Sequence, residues 1–373
     1  MNDVTHMLTL AARLAHRGLG RVEPNPPVGA VIVRDGCILG MGHHRRYGDL
    51  HAEREAIANA MSRGHNPRGA TMVVTLEPCA HHGKQPPCVD AIIDAGLARV
   101  VAACEDPHPK GRGGADVLRS RDVAVEFVTD CTPVNQLNAP YLKRVTTGLP
   151  WVIAKWAQTL DGRVATRTGE SKWISGPRAR RRVHILRARV DAILTGLGTV
   201  IADDPMLTAR EVRHARRIAR RVVADADLEI PLACNLLRTA GDVPLTIACD
   251  ATLATADITL DKRRAIRAAG AEILPTPAIA RAIDLARVLR DLADRHQAAN
   301  VLVEAGPGLL GAMFAADLID ECVVYVAPLL LGDDLAQAVQ TGRIVESLTA
   351  ARRLKLLRAQ RIDDDMELIY RRI

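Results

Sequence analysis

Two kinds of hydrophobic spacing alternate along the first 130 residues of the chain. Apolar runs of four to six residues are typical of buried strands, and between them apolar residues recur three and four positions apart, which indicates helices with one buried face. The pattern predicts strands at 28–33, 37–41, 72–76, 100–103 and 123–128 and helices at 7–15, 51–61, 89–95 and 115–121. This alternation favours a mixed or largely parallel sheet that is covered on both faces.

The alternation breaks at residues 146–150, where Thr-Thr-Gly-Leu-Pro interrupts the hydrophobic pattern. A length of 373 residues also suggests two domains, so we predict one domain at 1–147 and another at 148–373. After the break the pattern predicts strands at 151–155, 192–195, 222–225, 245–248, 300–304 and 321–326 and helices at 177–188, 278–296 and 309–316. The tail, 355–371, alternates loosely and is expected to add closing strands.

Composition narrows the class of protein. Hydrophobic residues make up 48% and charged residues 25%, the balance of a folded chain. No uncharged apolar run approaches the roughly 18–20 residues of a membrane span, and the first residues lack the pattern of a signal peptide. Eight cysteines in so long a chain do not form a disulfide framework. We therefore expect a soluble, cytoplasmic protein with no membrane partner.

The net charge of +7 is divided between the two parts, with +2 in residues 1–150 and +5 in residues 151–373. Of the fifty basic residues, 43 are arginines, whose planar guanidinium suits phosphate and carboxylate ligands. An anionic small molecule is therefore a plausible ligand. Nucleic acid is not expected as a partner, because nine aromatic residues in the whole chain provide few surfaces on which bases could stack.

Three short segments of the first part carry metal chemistry. His51-Ala52-Glu53 opens a predicted helix, and Cys79 and Cys88 each follow a proline. One histidine and two cysteines are the ligand count of a catalytic zinc site, whose fourth position is open to water. The usual signature of zinc deaminases is His-x-Glu followed by Pro-Cys-x-x-Cys. This sequence departs from it, because eight residues separate the two cysteines.

This pattern predicts hydrolytic deamination, with Zn²⁺ bound by His51, Cys79 and Cys88 and with Glu53 transferring protons. A purely structural zinc is the alternative, since His81 or His82 could supply a fourth protein ligand.

The second part shows weaker signals. Its first strand is not followed by Gly-x-Gly-x-x-Gly, so a Rossmann dinucleotide site is not indicated. Strand 300–304 runs into Gly306-Pro307-Gly308 and a helix, where glycines allow a close approach and the helix N-terminus offers N–H groups to a phosphate. An ordinary strand-to-helix turn remains the alternative.

The sequence resembles the bifunctional riboflavin-biosynthesis deaminase–reductase family over almost its whole length. The matching segments are PNPPVG at 24–29, HAE at 51–53, TLEPCAHHGK at 75–84, PPC at 86–88, LDGR at 160–163, GESKWIS at 169–175, ADDPMLT at 202–208 and VEAGP at 303–307. In that family the longer gap between the two cysteines is normal.

The resemblance implies a fold and two activities. We expect an α/β protein in which an N-terminal, cytidine-deaminase-like three-layer domain is followed by a dihydrofolate-reductase-like α/β domain. The first domain would deaminate 2,5-diamino-6-ribosylamino-4(3H)-pyrimidinone 5′-phosphate with Zn²⁺, and the second would reduce its ribosyl group to ribityl with NADPH. The resemblance also implies a homo-oligomer, a dimer or a tetramer.

The resemblance also implies roles for individual residues. It assigns zinc to His51, Cys79 and Cys88, the proton shuttle to Glu53, and substrate contacts in the deaminase to Asn25, His44, His82 and Lys84. NADPH would contact Ala157, Trp173, Thr199, Asp203, Gly306, Pro307, Gly308, Leu309, Leu310, Gly311 and Ala312. The phosphoribosyl substrate of the reductase would contact Ser171, Arg187, Leu207, Arg210 and Glu304, with the two arginines gripping its phosphate. Glu304 is either a proton or hydroxyl contact or a structural carboxylate.

Two features depart from the family or add to it. Ala226 replaces a serine that the family usually places near NADPH. Arg213, Arg217, Arg220 and Arg221 are predicted to lie along one helical stripe, either as a solvated face or as a clamp for the 2′-phosphate of NADPH.

Two other classes of protein share parts of this pattern. One is a nucleic-acid deaminase of the tRNA-editing kind with an unrelated second domain, which should show stacking aromatics and a stronger basic patch. The other is a non-enzymatic protein with a structural zinc and a nucleotide-binding regulatory half.

Overall fold

The computed structural model of the chain describes residues 2–212, 216–279, 282–342 and 346–372. The chain divides into two compact units, Met1–Gly148 and Leu149–Ile373. Gly148 has a left-handed backbone (φ 71°) and ends the last helix of the first unit, a conformation that glycine adopts without strain. Within the described ranges, no helix combines the length and the apolar character needed to cross a membrane.

The first unit contains five helices and five strands within its described residues. In chain order they are α1 Asn2–Ala15, β1 Gly29–Arg34, β2 Cys37–His43, α2 Ala52–Ser62, β3 Thr71–Val74, α3 Cys88–Asp94, β4 Arg99–Ala102, α4 Gly114–Arg119, β5 Ala124–Phe127 and α5 Thr132–Thr147. The strands form one sheet in the order β2-β1-β3-β4-β5. Strand β1 is antiparallel to β2 and β3, whereas β3, β4 and β5 are parallel.

Alternate residues of the first sheet face two separate cores. Ile32 and Met72 pack with side chains of α2, α3 and α4, and their neighbours Val31 and Val73 pack with α1 and α5 on the other face. The expected three-layer arrangement is therefore confirmed. Helix α5 is not in the sequence prediction, because Pro133 and Pro140 resemble helix breakers; Pro133 instead lies in the first turn, where proline costs no hydrogen bond.

The second unit contains a larger sheet and six of the helices described. In chain order its elements are β6 Trp151–Gln158, β7 Arg163–Ala165, α6 Pro177–Arg187, β8 Ala192–Gly196, α7 Leu197–Asp203, β9 Arg220–Ala224, α8 Asn235–Arg238, β10 Leu245–Asp250, α9 Leu260–Ala268, β11 Glu272–Thr276, β12 Ala278–Ile279, β13 Ala282–Ile283, α10 Leu285–His296, β14 Asn300–Val303, α11 Pro307–Ala315, β15 Glu321–Val326, β16 Gln337–Ala338, β17 Leu354–Ile362 and β18 Asp365–Arg372.

Nine described strands of this unit form a sheet in the order β11-β10-β9-β8-β14-β6-β15-β18-β17. Neighbouring strands are parallel from β11 to β15, and the expected closing strands β18 and β17 follow in antiparallel pairing. Side chains of α6, α7, α8 and α9 cover one face, and those of α10 and α11 cover the other. The predicted α/β fold class is confirmed in this unit as well.

Two sequence predictions in this unit are wrong. The helix predicted at 278–296 begins at Leu285, because the Asp284 side chain accepts a hydrogen bond from the Arg287 N–H (3.0 Å) and caps the helix there. The predicted helical stripe of arginines is also wrong: Arg220 and Arg221 begin β9, and neighbouring residues of a strand point to opposite faces.

The arginines of this segment are engaged within the protein. Arg221 is fully buried and donates to the carbonyls of Thr239 (3.1 Å) and Val243 (2.6 Å). Arg220 pairs with Glu272 (3.2 Å), and Arg217 pairs with Asp191. Arg213 lies outside the described residues.

Candidate active sites

The three predicted metal ligands of the first unit lie together. His51 immediately precedes α2, Cys88 is the first residue of α3, and Cys79 lies in the loop after β3. The His51 Nδ1 atom is 3.6 Å from the Cys79 Sγ and 3.3 Å from the Cys88 Sγ, and the three ligand atoms lie within 4.8 Å of one another. Tetrahedral zinc, with bonds of about 2.0–2.3 Å, needs ligand atoms about 3.6 Å apart. These residues therefore fit a zinc ion.

Contacts from α2 fix the end of the long segment between the two cysteines. Arg54 donates from its Nη2 to the Pro87 carbonyl (2.7 Å) and from its Nε to the Pro86 carbonyl (3.3 Å). The Cys88 N–H points at the Cys79 Sγ (3.4 Å). A loop of eight intervening residues can thus bring both thiols to His51, which explains why the departure from the shorter deaminase spacing does not disrupt the site.

Glu53 lies in the first turn of α2 and is only 4% exposed. Burial raises the pKa of its carboxyl group, and the negative charge of Cys79 raises it further. The pKa of the Cys79 thiol is lowered to about 4 by hydrogen bonds from the Cys88 thiol and from His51. A thiolate is the metal-binding form of cysteine, and a buried carboxyl with a raised pKa suits proton transfer near neutral pH.

Asn25 and His44 lie beside the metal ligands. The His44 ring is 5.2 Å from the His51 ring, its Nδ1 is 3.0 Å from the Leu50 carbonyl oxygen, and its Nε2 is 3.4 Å from the Asn25 Nδ2. Nδ1 donates to the carbonyl, so Nε2 accepts from the Asn25 amide. Burial lowers the pKa of His44, which favours this neutral form.

His82 and Lys84 occupy an exposed loop between the two cysteines. The Lys84 Nζ lies 4.0 Å from the centre of the Tyr47 ring, a cation–π contact. Gln85 joins the same loop to the segment before α2 by donating to the Gly48 carbonyl (2.8 Å). Sequence reasoning missed Tyr47, because an isolated tyrosine gives no signal of its partner.

Glu77 is a second residue that sequence reasoning missed. Its buried carboxylate accepts hydrogen bonds from the backbone N–H groups of Asp106 (3.0 Å), Gly113 (3.1 Å) and Ala115 (2.9 Å). A Cβ on Gly114 would lie 1.8 Å from the Pro78 carbonyl oxygen, so this loop packs directly on the residue before Cys79. The position of Glu77 directly before Pro78-Cys79 was the sequence signal that could have indicated a role at the metal site.

We expect Glu77→Gln to lower the free energy of unfolding of the first unit by about 1–3 kcal/mol, because an amide can satisfy fewer of these N–H groups than a carboxylate can. Hydrogen exchange at the amides of Asp106, Gly113 and Ala115 measures the effect locally. Glu126→Gln is the matched control, since Glu126 is exposed and pairs with Arg99. Unchanged exchange at those three amides would contradict this role for Glu77.

The NADPH residues predicted in the second unit lie mainly beyond the carboxyl ends of adjacent strands. Ala157 is near the end of β6, Thr199 and Asp203 lie in α7 directly after β8, and Gly306 follows β14. The Gly306 N–H donates to the Thr199 Oγ1 (3.1 Å), which joins two of these segments. At Gly308 the space that a Cβ would occupy is open, so a cofactor phosphate can approach the start of α11. This edge is where α/β sheets bind ligands, and the residues present fit a dinucleotide.

Trp173 is 67% exposed. The Arg180 guanidinium sits 4.5 Å from the centre of the Trp173 ring, and the Nζ of the preceding Lys172 is 3.0 Å from an Asp203 carboxylate oxygen. Lys172 therefore links the segment that carries Trp173 to Asp203.

Glu304 is the centre of a buried charge cluster. Arg187 contacts both of its oxygens, from Nε (2.5 Å) and Nη2 (2.9 Å), and the Lys155 Nζ lies 3.2 Å from Oε2. Burial alone would raise the pKa of Glu304, but the charges of Arg187 and Lys155 outweigh it and lower the pKa to about 2. Glu304 is therefore ionised at neutral pH. Sequence reasoning missed Lys155, which lies within an apolar strand.

The other predicted substrate residues of the reductase occupy α6, the segment before it and the segment after α7. The Arg187 fork, expected to face phosphate, faces Glu304 in this structure, and its Nη1 donates to the Thr208 carbonyl (3.3 Å). Leu207 is buried with a left-handed backbone (φ 49°), and the Arg210 N–H lies 3.2 Å from the His184 Nδ1. Among the described residues, Ser171 is half-buried and makes no side-chain hydrogen bond to this cluster.

Comparison with known proteins identifies the class of each unit. Residues 1–104 match the family described as the cytidine and deoxycytidylate deaminase zinc-binding region. Residues 150–368 match the family described as the RibD C-terminal domain. The class that fold and sites define is a zinc-dependent deaminase joined to an NADPH-dependent reductase.

Full-length relatives show the same combination. The chain is 38% identical to the riboflavin biosynthesis protein RibD of Escherichia coli (strain K12), covering 98% of each chain. It is 35% identical to the protein of that name from Aquifex aeolicus, covering 98% of this chain and 97% of the relative. The solved Acinetobacter baumannii RibD has a TM-score of 0.84 at 35% identity, with 100% of this chain and 99% of that chain covered.

The chain therefore belongs to the RibD family of bifunctional riboflavin-biosynthesis deaminase–reductases. This confirms the predicted family, the two activities and the two cofactors, Zn²⁺ and NADPH. It also favours a small-molecule enzyme over the nucleic-acid deaminase and over the non-enzymatic regulator.

Proposed function

We propose that the first unit removes the pyrimidine amino group of 2,5-diamino-6-ribosylamino-4(3H)-pyrimidinone 5′-phosphate, with His51, Cys79 and Cys88 as the zinc ligands. The observation that carries this proposal is the convergence of these three ligand atoms within 4.8 Å, next to the buried carboxyl of Glu53. When bound, zinc lowers the pKa of a water molecule to about 7 and so supplies the nucleophile.

Glu53 moves the protons of this reaction. Its carboxylate takes a proton from the attacking water and passes it to a ring nitrogen. It then takes the second proton, from the hydroxyl now on the ring carbon, and gives it to the departing amine, which leaves as ammonia. The ring carbon gains an oxygen and loses a nitrogen, so water and ammonia balance. Asn25 and neutral His44 orient the pyrimidine next to this carboxylate, and His82 and Lys84 contact the substrate from their exposed loop.

We propose that the second unit reduces the ribosyl group of the deaminated product. The reduction adds one hydride, which NADPH would supply when bound, and one proton, which comes from solvent. Ala157, Trp173, Thr199 and Asp203 line its site together with the turn at 306–312. Support comes from the position of these residues at one edge of the sheet and from the Thr199–Gly306 hydrogen bond.

Glu304, Arg187 and Lys155 hold the ribosyl end of the substrate next to that edge. Arginine has five N–H donors, and the three bonds of Arg187 to Glu304 and Thr208 leave two more for the substrate phosphate. Ser171, Leu207 and Arg210 complete the phosphoribosyl contacts. Glu304, as an ionised carboxylate, accepts a hydrogen bond from a substrate hydroxyl.

The deaminase assignment is tested with the purified, zinc-loaded chain. Zinc is measured by atomic absorption, and ammonia release from the diaminopyrimidinone phosphate is followed enzymatically without NADPH. Ammonia in proportion to substrate supports the proposal; a zinc-loaded chain that releases none would reject it.

His184 provides a test of the substrate phosphate site. The His184 Nδ1 lies 3.2 Å from both the Thr208 carbonyl oxygen and the Arg210 backbone nitrogen, so it donates to Thr208 in one tautomer and accepts from the Arg210 N–H in the other. In either tautomer it holds the segment that carries Arg210. We expect His184→Phe to raise the KM for the phosphorylated substrate about five-fold with little change in kcat, since one hydrogen bond is lost.

His184→Asn keeps an acceptor near the Nδ1 position and should retain most of the affinity. The measurement is NADPH oxidation against substrate concentration. Equal KM values for wild type and His184→Phe would show that His184 does not position Arg210.

We also propose that the enzyme acts in the cytoplasm as a dimer or tetramer, an expectation supported by the family resemblance. Light scattering of the purified chain measures the oligomeric state, and a monomer at micromolar concentration would reject it.

A further inference from the structure

Residues 328–342, which we call the strap, follow β15 in the chain and end in space beside the start of α11. The sequence predicts no role for them. At its first end the Leu160 N–H donates to the Leu329 carbonyl (2.8 Å). Just before the strap, the Ala327 N–H donates to the carbonyl of Gln158, the neighbour of Ala157 (2.9 Å). The strap therefore begins beside one wall of the proposed NADPH site.

Asp161 holds the first part of the strap. One of its carboxylate oxygens accepts from the Gly332 N–H (2.9 Å), and both lie within reach of the Leu331 N–H (3.2 and 3.3 Å). The Thr159 hydroxyl donates to the same carboxylate (2.6 Å), which fixes its orientation. These bonds lower the pKa of Asp161 to about 2, the Thr159 bond most strongly, so it is ionised at any working pH.

The middle of the strap is attached to the hairpin that follows β6. Arg167 contacts both oxygens of Asp333, from Nε (2.7 Å) and Nη2 (2.5 Å). Arg163 donates to the Ala336 carbonyl (3.0 Å), and β16 of the strap pairs with β7 in antiparallel register.

The far end of the strap lies against the start of α11. The Thr341 N–H donates to the Pro307 carbonyl (3.2 Å). A Cβ on Gly311 would lie 1.9 Å from the Thr341 carbonyl oxygen, so only glycine permits this approach. The strap thus joins the β6 side of the proposed NADPH site to its α11 side.

Polar contacts hold most of the strap; among its apolar side chains, Ala336 is buried and Val339 packs on the core. Leu330 and Leu335 are 71% and 66% exposed, so they contribute little packing energy. A segment with few buried apolar contacts opens at low cost once its hydrogen bonds are lost.

We propose that Asp161 is a positioning residue for NADPH, which closes the strap across the cofactor site and thereby sets the affinity for the cofactor. This proposal rests on the proposed function of the second unit. If NADPH binds the closed arrangement, the apparent Kd equals the intrinsic Kd divided by the closed fraction. Loss of Asp161 lowers that fraction and weakens NADPH binding, while the substrate cluster around Glu304 stays intact.

The experiment uses the full-length chain with Asp161→Ala. All three tryptophans lie in the second unit, at 151, 156 and 173, so their quenching by NADPH reports binding without substrate. We expect the Kd and the KM for NADPH to rise about ten-fold, with the KM for the deaminated substrate within about two-fold of wild type. Asp364→Ala is the matched control, because Asp364 is an exposed carboxylate paired with Arg361 in the β17–β18 turn.

Asp161→Asn keeps one oxygen that can accept a hydrogen bond and replaces the other with an NH₂ donor, so its Kd should fall between those of wild type and Asp161→Ala. Ammonia release should be unchanged in every variant, which checks that the chain is intact. If Asp161→Ala does not fold, Asp333→Asn, which weakens the Arg167 pair, should raise the Kd about three-fold.

Three outcomes are distinguishable. A selective loss of NADPH affinity supports the proposal. Wild-type affinity in Asp161→Ala, or equal losses for NADPH and substrate together with a lowered Tm, would overturn it and leave Asp161 as a structural residue. Failure of the wild-type chain itself to bind NADPH would reject the proposed function of the second unit.

Discussion

Glu53→Gln is expected to lower the rate of ammonia release by at least about 10³-fold, within the range assigned to general acid–base catalysis. Glutamine has nearly the size and shape of glutamate but cannot take a proton from water and pass it to the pyrimidine. The zinc ligands are untouched, so the zinc content should stay at the wild-type value. The measurement is ammonia release by the pure variant, with zinc determined on the same sample.

The matched control is Asp94→Asn, which neutralises an exposed carboxylate in α3 and should leave ammonia release within about two-fold of wild type. Reduction of the already deaminated substrate should also stay within a few-fold, since the two activities belong to separate compact units. Persisting ammonia release would contradict the proton-shuttle role. Loss of both activities in a folded variant would show that the units are coupled.

Glu304→Gln is expected to lower NADPH oxidation by about 10²-fold, the upper end expected for the loss of a hydrogen bond to a charged group. Glutamine leaves the buried charges of Arg187 and Lys155 without their shared counter-charge, and breaking a buried ion pair costs about 3–5 kcal/mol. Both cations would then reorganise, and the ribosyl end of the substrate would lose its hydroxyl acceptor. The measurement is NADPH oxidation with deaminated substrate.

Glu321→Gln controls for the loss of a carboxylate–arginine pair in the same sheet, because the Glu321 Oε2 contacts the Arg371 Nε at 2.9 Å. It should change NADPH oxidation by about two-fold at most. Ammonia release by Glu304→Gln should match wild type. A fully active Glu304→Gln variant would remove Glu304 from the substrate site.

The same variant should alter the acid sensitivity of the second unit. The pKa of Glu304 is about 2 in the folded chain, below its ordinary value of 4.5. A carboxylate whose pKa is lowered by folding stabilises the folded state at every pH above its ordinary pKa. This stabilisation is lost as the pH falls from the ordinary pKa to the pKa in the folded chain. Unfolding of the wild type followed by tryptophan fluorescence should therefore show a loss of stability between about pH 4.5 and 2 that is smaller in Glu304→Gln.

The metal site could be predicted from the sequence because its chemistry depends on residue type. Histidine and cysteine bind zinc wherever the fold brings them together, and His51, Cys79 and Cys88 stand next to recognisable strand and helix boundaries. The layers of the first unit were predictable for a related reason. Neighbouring side chains of a strand point to opposite faces of the sheet, so an uninterrupted apolar run that includes Val31 and Ile32 indicates a sheet buried on both faces.

The rest depends on contacts that sequence spacing does not encode. Asp161 and Gly332 are 171 positions apart, and nothing near Asp161 indicates that its carboxylate receives distant N–H groups. Lys155 lies in a buried strand, and only the tertiary structure places it beside Glu304. Arg221 resembles a surface residue in an arginine-rich segment, yet it is buried, and its Nη atoms donate to the Thr239 hydroxyl and to nearby carbonyls.

The most direct test of the two-step account is the order of the reactions. The zinc-loaded chain is given the diaminopyrimidinone phosphate first without NADPH and then with it, while ammonia and NADPH absorbance are followed together. We predict ammonia release without NADPH and NADPH oxidation only after deamination. NADPH oxidation before any ammonia appears, or zinc-loaded protein with neither activity, would contradict the account.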